Sequence, residues 1–113
     1  MKIIYHNPRC RKSRETLQIL KDKNIKFKII EYLKNNLSKT QLENLITKLD
    51  IKPINLVRRN EQLWKDHFKT KDLTNDEIIK ILSDNPKLIE RPIVESNSKA
   101  IIGRPPENVL KIL

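Results

Sequence analysis

Lys2-Ile3-Ile4-Tyr5-His6-Asn7-Pro8-Arg9-Cys10-Arg11-Lys12-Ser13-Arg14 passes from a short apolar run through a polar turn into a helical pattern, and the rest of the chain is read from it. Lys2 to Tyr5 is expected to be a strand, closed by a turn in which Pro8 blocks further pairing. From Cys10 or Arg11 onward Leu17, Leu20 and Ile19 supply an apolar helical face, with Glu15, Gln18, Lys21 and Asp22 on the wet side and an end near Asn24. Ile25 to Tyr32 then reads as a second strand, with Phe27 and Ile29 on one side and Ile30 and Tyr32 on the other. Strand, helix and strand form a βαβ unit, and its crossover makes the two strands parallel.

Beyond this unit the pattern turns helical. Ser38 with Gln41 three residues later is a capping box, followed by Leu42, Leu45, Ile46 and Leu49 at helical spacing up to about Asp50. Pro53 opens a short helix that leads into Arg58 and Arg59, and Thr74 with Glu77 caps a further helix carrying Ile78, Ile81 and Leu82. Pro86 ends it. Arg91-Pro92-Ile93-Val94 enters a strand, Ser96-Asn97-Ser98 turns, and Lys99 to Ile102 returns as the partner strand of a hairpin. Gly103, the only glycine, is expected where the backbone needs a freedom that a Cβ would deny. Pro105 and Pro106 open a last helix through Val109, Leu110 and Leu113. The order βαβ, helices, ββα is an α/β, thioredoxin-like layout with a helical insertion at about 38–85, in one domain of residues 1–113.

At 113 residues, one core is the expectation. Aromatic residues are 4% of the chain, so Ile and Leu must supply most of that core. The formal charge of +10 raises nucleic acid as a partner, but the Lys and Arg residues are dispersed among Asp and Glu and aromatic stacking residues are scarce, which argues against it. One cysteine allows no internal disulfide and points to a reducing compartment, the cytoplasm. Ile3-Ile4-Tyr5 is too short for a signal peptide, and no run approaches a membrane span. A monomer is expected.

Lone cysteines are commonly small inert hydrophobes. Cys10 differs in its neighbours, which are Pro8, Arg9, Arg11, Lys12 and Arg14 rather than core residues. Its place at a helix N-terminus offers unpaired N–H groups and the positive end of the macrodipole, both of which favour a thiolate. Three arginines fall at segment ends that could reach the same end of the sheet: Arg91 before Pro92, Arg104 after the last strand, and Arg58 in the helical region. Guanidinium groups hold a tetrahedral oxyanion by forked hydrogen bonds and keep their charge. The residues alone give an activated thiol with candidate anion-binding arginines, any of which could instead be an ordinary surface cation.

Tyr5 to Arg14 resembles the opening motif of the glutaredoxin-coupled arsenate reductase family. Glu90-Arg91-Pro92-Ile93-Val94 and Ile102-Gly103-Arg104-Pro105-Pro106-Glu107 resemble its two later motifs, in the same order. The resemblance implies that Cys10 is the nucleophile that attacks arsenate and that Arg58, Arg91 and Arg104 bind the oxyanion. Arg59 adjoins Arg58, and a shift of one residue would exchange them. His6 matches a histidine near the thiol, which would orient or deprotonate it, or else is a turn histidine satisfied by backbone. Ser13 stands where dithiol relatives keep a second cysteine; its hydroxyl would bond either the thiolate or local backbone. Pro92 is expected to follow a cis bond and to face the thiol.

No resolving cysteine exists, so an outside thiol must attack the cysteine-bound arsenic. The resemblance makes that thiol glutathione, a co-substrate rather than a tightly bound cofactor, with glutaredoxin clearing the mixed disulfide. It implies no metal. Two other functions compete: a general glutathione-dependent thiol oxidoreductase, and a regulator of the Spx type that binds RNA polymerase. Cys10-Arg11-Lys12-Ser13 lacks the Cys-X-X-Cys switch of the latter.

Overall fold

A computed structural model describes residues 1–113. The chain divides into two compact units, one formed by residues 1–35 and 91–113 and the other by residues 36–90. The first contains four strands, β1 (Lys2–Tyr5), β2 (Phe27–Ile30), β3 (Ile93–Glu95) and β4 (Ala100–Ile102), and the helix α1 (Arg11–Asp22). Their order across the sheet is β2-β1-β3-β4. β1 and β2 are parallel, as the βαβ reading requires, while β3 is antiparallel to both β1 and β4. Ile4 pairs laterally with Ile29 and Val94, and Val94 with Ile101. On the α1 face Ile4 and Val94 pack with Leu20 and Val109, all fully buried, and Phe27, Leu17 and Ile101 extend this core. Burying each such aliphatic side chain stabilises the fold by about 1.5–3 kcal/mol.

Local chemistry explains the boundaries of α1. Ser13, Thr16 and Leu20 are buried along one face, and Cys10 is the N-cap in extended conformation. Lys23 ends the helix and Asn24 takes a left-handed φ of 55°, which asparagine tolerates. The Asn24 N–H then donates to the Lys21 carbonyl and the Ile25 N–H to the Leu20 carbonyl, the two bonds of a Schellman motif. This explains why β2 is shorter than the span 25–32: Ile25 is engaged by the helix end, and the Lys34 N–H closes a turn onto the Glu31 carbonyl.

The helical unit contains α2 (Lys39–Leu49), α3 (Gln62–His67) and α4 (Asn75–Asp84), with short 3-10 turns at Pro53–Leu56 and Pro86–Leu88. Both expected capping boxes are present, Ser38 with Gln41 and Thr74 with Glu77. Leu42, Leu45, Leu56, Leu82 and Leu88 are buried at 0–1% exposure and form this unit's interior. α3 has no counterpart in the sequence reading. It is six residues long, buries only Trp64 and has no side-chain cap, so it leaves too little periodicity to detect. The last helix is also corrected: Pro106–Ile112 is a 3-10 helix, entered from Pro105 in extended conformation and burying Val109.

Gly103 keeps its place for a reason other than backbone freedom, since its φ is not positive. A Cβ there would lie 2.7 Å from Thr16 Oγ1 and 3.0 Å from Pro92 Cγ. Thr16 is fully buried and cannot swing aside. The absent side chain lets the end of β4 lie directly against α1 and Pro92, whose carbonyl accepts the Gly103 N–H at 2.8 Å. Gly103→Ala is therefore expected to destabilise the protein by about 1–3 kcal/mol through overpacking. Urea unfolding measures this, and an unchanged midpoint would show that the contact relaxes freely.

Candidate active site

The loop between β1 and α1 is built by Asn7. Its carbonyl accepts the Cys10 N–H at 3.0 Å, its Oδ1 accepts the Arg9 N–H at 3.0 Å, and its own N–H donates to Ser13 Oγ at 3.0 Å. Sequence reading passed over Asn7 as an ordinary turn residue, although an asparagine that bonds backbone two residues on is a recognised turn former. The loop closes onto the first turn of α1 and places Cys10 at its N-terminus. Cys10 makes no capping hydrogen bond through its side chain. It is 9% exposed.

Burial pushes the Cys10 thiol up, but hydrogen bonding and charge from Arg91, together with the Ser13 and Lys12 backbone N–H groups, hold it below the ordinary thiol value on balance. Arg104 adds a second guanidinium, with Nη2 at 3.9 Å from Sγ. Its Nε donates to the Arg91 carbonyl at 2.7 Å, which ties the two arginine-bearing segments together. Arg91 Nε–H is buried and has no hydrogen-bond partner. A depressed pKa predicts that alkylation of Cys10 by iodoacetamide titrates with a midpoint below the roughly 8.5 of a free cysteine. The rate should fall as pH drops through that midpoint and the thiolate is protonated. A midpoint at or above the free value would overturn the electrostatic account.

The supporting residues differ in detail from expectation. His6 is buried, and its Nδ1 shares a 2.6 Å hydrogen bond with Ser13 Oγ. Its pKa is lowered, chiefly by burial, with Glu31 opposing the shift and Arg14 and Lys21 adding to it, so the ring is neutral at neutral pH. Its hydrogen bond is to Ser13 and not to the thiol. The Ser13 hydroxyl is engaged by His6 and by the Asn7 N–H and is not spent on the thiol, while the Lys12 and Ser13 N–H groups of the first turn favour the thiolate as the positive end of the helix. The Arg91-Pro92 bond is cis as expected, and Arg104-Pro105 is cis as well. Cys10, Arg91, Arg104, His6, Ser13 and Pro92 thus belong to one unit. Arg58 belongs to the helical unit, where its guanidinium is paired with Glu61 and its N–H donates to the Leu88 carbonyl at 2.7 Å. Arg59 reaches only Asn55 Oδ1, at 3.5 Å.

A parallel β1–β2 pair, an antiparallel β3–β4 hairpin and a cysteine at the N-terminus of the first helix define a thioredoxin-like protein. The chain belongs to the ArsC family, whose model matches residues 5–112. An arsenate reductase of Haemophilus influenzae is 45% identical over 113 residues, covering 98% of this chain and 97% of that one. A protein of Escherichia coli named uncharacterized protein YfgD is 44% identical over 112 residues, covering 97% of this chain and 94% of that one. The solved arsenate reductase from Vibrio cholerae is 41% identical with a TM-score of 0.95, covering 99% of this chain and 97% of that one.

Proposed function

We propose that the protein reduces arsenate to arsenite, with Cys10 as nucleophile and glutathione as the outside thiol. The observation that carries this reading is the pairing of a depressed Cys10 thiol with two guanidinium groups, that of Arg91, which lowers its pKa, and that of Arg104, whose Nη2 lies 3.9 Å from Sγ. Two fixed positive charges beside a thiolate suit an oxyanion, which guanidinium groups bind by forked hydrogen bonds. The ArsC membership and the arsenate reductase relatives support the choice of oxyanion.

The thiolate attacks arsenic, an As–S bond forms, and an arsenate oxygen leaves as water after taking up protons. Arg91 and Arg104 stabilise the charge that builds on the remaining oxygens. Glutathione thiolate then attacks the cysteine-bound arsenic, a second oxygen leaves as water, and the two sulfurs join in a mixed disulfide as both As–S bonds break and one water returns to arsenic. One bonding pair stays with arsenic, which passes from As(V) to As(III). A second thiol, delivered by glutaredoxin, discharges the mixed disulfide and returns the Cys10 thiolate. In sum, arsenate and two thiols give arsenite, a disulfide and water. His6 and Ser13 hold the loop, Pro92 borders the site, and the reducing cytoplasm is the setting in which this cycle runs. Arg58 is held by Glu61 within the helical unit, so the reading rests on Arg91 and Arg104.

The test is arsenite formation by the purified protein with glutathione and glutaredoxin. If arsenate is not reduced while a glutathione mixed disulfide is, the general thiol-exchange activity replaces this reading.

A further inference from the structure

β1 and β2 are parallel, so the segments that leave their carboxyl ends emerge at the same edge of the sheet. Open α/β sheets bind ligands outside that edge. Here residues 6–9 after β1 and Glu31, Leu33 and Lys34 after β2 enclose a cleft of about 240 Å³. The His6 N–H donates to the Ile30 carbonyl at 2.9 Å and fixes the two segments side by side. Asn7 lines the cleft and also accepts the Cys10 N–H, so anything seated there lies against the loop that carries the sulfur.

The lining is apolar at Pro8 and Leu33, and Leu33 is 40% exposed. Charges of both signs stand around it. The Arg9 side chain makes no ion pair, while Lys34 meets Glu31 at 3.3 Å with its own side chain 72% exposed, a contact too weak to resist exchange. Two cations and one carboxylate match a small peptide that carries two carboxylates and one ammonium group.

We propose that this cleft is the seat of the small peptide thiol, with Arg9 and Lys34 receiving its carboxylates, Glu31 its ammonium and Leu33 its apolar stem. This deepens the reading given above, since it places the co-substrate that breaks the As–S bond, and it rests on that reading for its role in turnover. Binding itself does not require arsenic chemistry.

The experiment therefore has two arms. In the first, reduced ¹⁵N-labelled protein is titrated with S-methylglutathione, which cannot form a disulfide. Amide shifts are expected at His6, Asn7, Arg9 and residues 31–34, and Lys34→Glu should weaken the affinity at least tenfold, the loss of one charge-assisted contact with repulsion of the carboxylate added. Leu33→Ser, also at an exposed position, serves as a second variant. Shifts absent from these segments, or confined to the helical unit around Trp64, would overturn the proposal whether or not arsenate is reduced. In the second arm, Lys34→Glu should raise the KM for glutathione at least tenfold, leave the KM for 2-mercaptoethanol unchanged because that thiol has no carboxylate, and leave the rate of the first Cys10–arsenic bond unchanged. Equal losses with both thiols would show that Lys34 acts on the site in general, and the co-substrate assignment would fail. Absence of arsenate turnover in the native protein defeats the proposed function alone and leaves the binding arm decisive.

Discussion

Cys10→Ser is expected to abolish arsenate reduction, leaving only the rate of the control without protein, while thermal stability stays the same or rises. The two halves of this result have different causes. Cys10 is the only thiol in the chain, so no neighbouring sulfur can take over the attack or the later exchange. A serine hydroxyl cannot replace it, because the hydroxyl is not ionised at neutral pH and an alkoxide–arsenic bond has no reductive exit through a disulfide. Stability follows the helix rather than the chemistry. Cys10 is the N-cap of α1 and makes no capping hydrogen bond with its side chain. Serine is among the preferred N-caps, and its Oγ can accept from the Lys12 or Ser13 N–H, worth about 0.5–2 kcal/mol. Thermal unfolding followed by circular dichroism, alongside arsenite formation, checks both halves. Residual turnover in Cys10→Ser would remove Cys10 from the mechanism, and a large drop in unfolding temperature would show that the sulfur itself supports the fold.

The layout was legible because its signals are local. Pro8 after an apolar run, two capping boxes, and prolines at 86, 92, 105 and 106 punctuate the chain where its elements change. Cys10 was legible for the same reason, since a strand, a turn and a helix start can be read from a dozen residues. What could not be read depends on contacts distant in sequence. Gly103 needs its missing side chain because Thr16 and Pro92 crowd it, which no local pattern reveals. Arg91 and Arg104 could be nominated as cations near strand ends, but the hydrogen bond from Arg104 to the Arg91 carbonyl spans the hairpin. Of the two roles open to the Ser13 hydroxyl, the local one holds: it accepts the Asn7 backbone N–H, and it adds a bond to His6 that no local pattern reveals. α3 escaped notice because a single buried tryptophan makes no period.

Arg91→Ala and Arg104→Ala should each lower kcat/KM for arsenate on the order of 10²-fold, the size of loss seen when one donor to a developing oxyanion is removed. The two variants are nevertheless expected to differ in how the thiol titrates. Arg91 is the cation that does most to hold the Cys10 thiol below its ordinary value, so its removal should raise the alkylation midpoint. Arg104 stands 3.9 Å from Sγ and works in part by holding the Arg91 carbonyl, so Arg104→Ala should move that midpoint less. Because one arginine positions the segment of the other, the double variant should lose less than the product of the single losses. Lysine at either position should recover part of the rate, since it restores charge without the planar fork. The sign of the pH effect also follows. Thiolate stabilisation by Arg91 is present above the folded pKa of Cys10 and disappears as pH falls through it, so native and Arg91→Ala proteins should converge in alkylation behaviour at low pH and separate towards neutrality. Equal midpoints for native protein and Arg91→Ala, together with unchanged arsenate kinetics, would remove Arg91 from the oxyanion site and leave the thiol depressed by the helix terminus and Arg104.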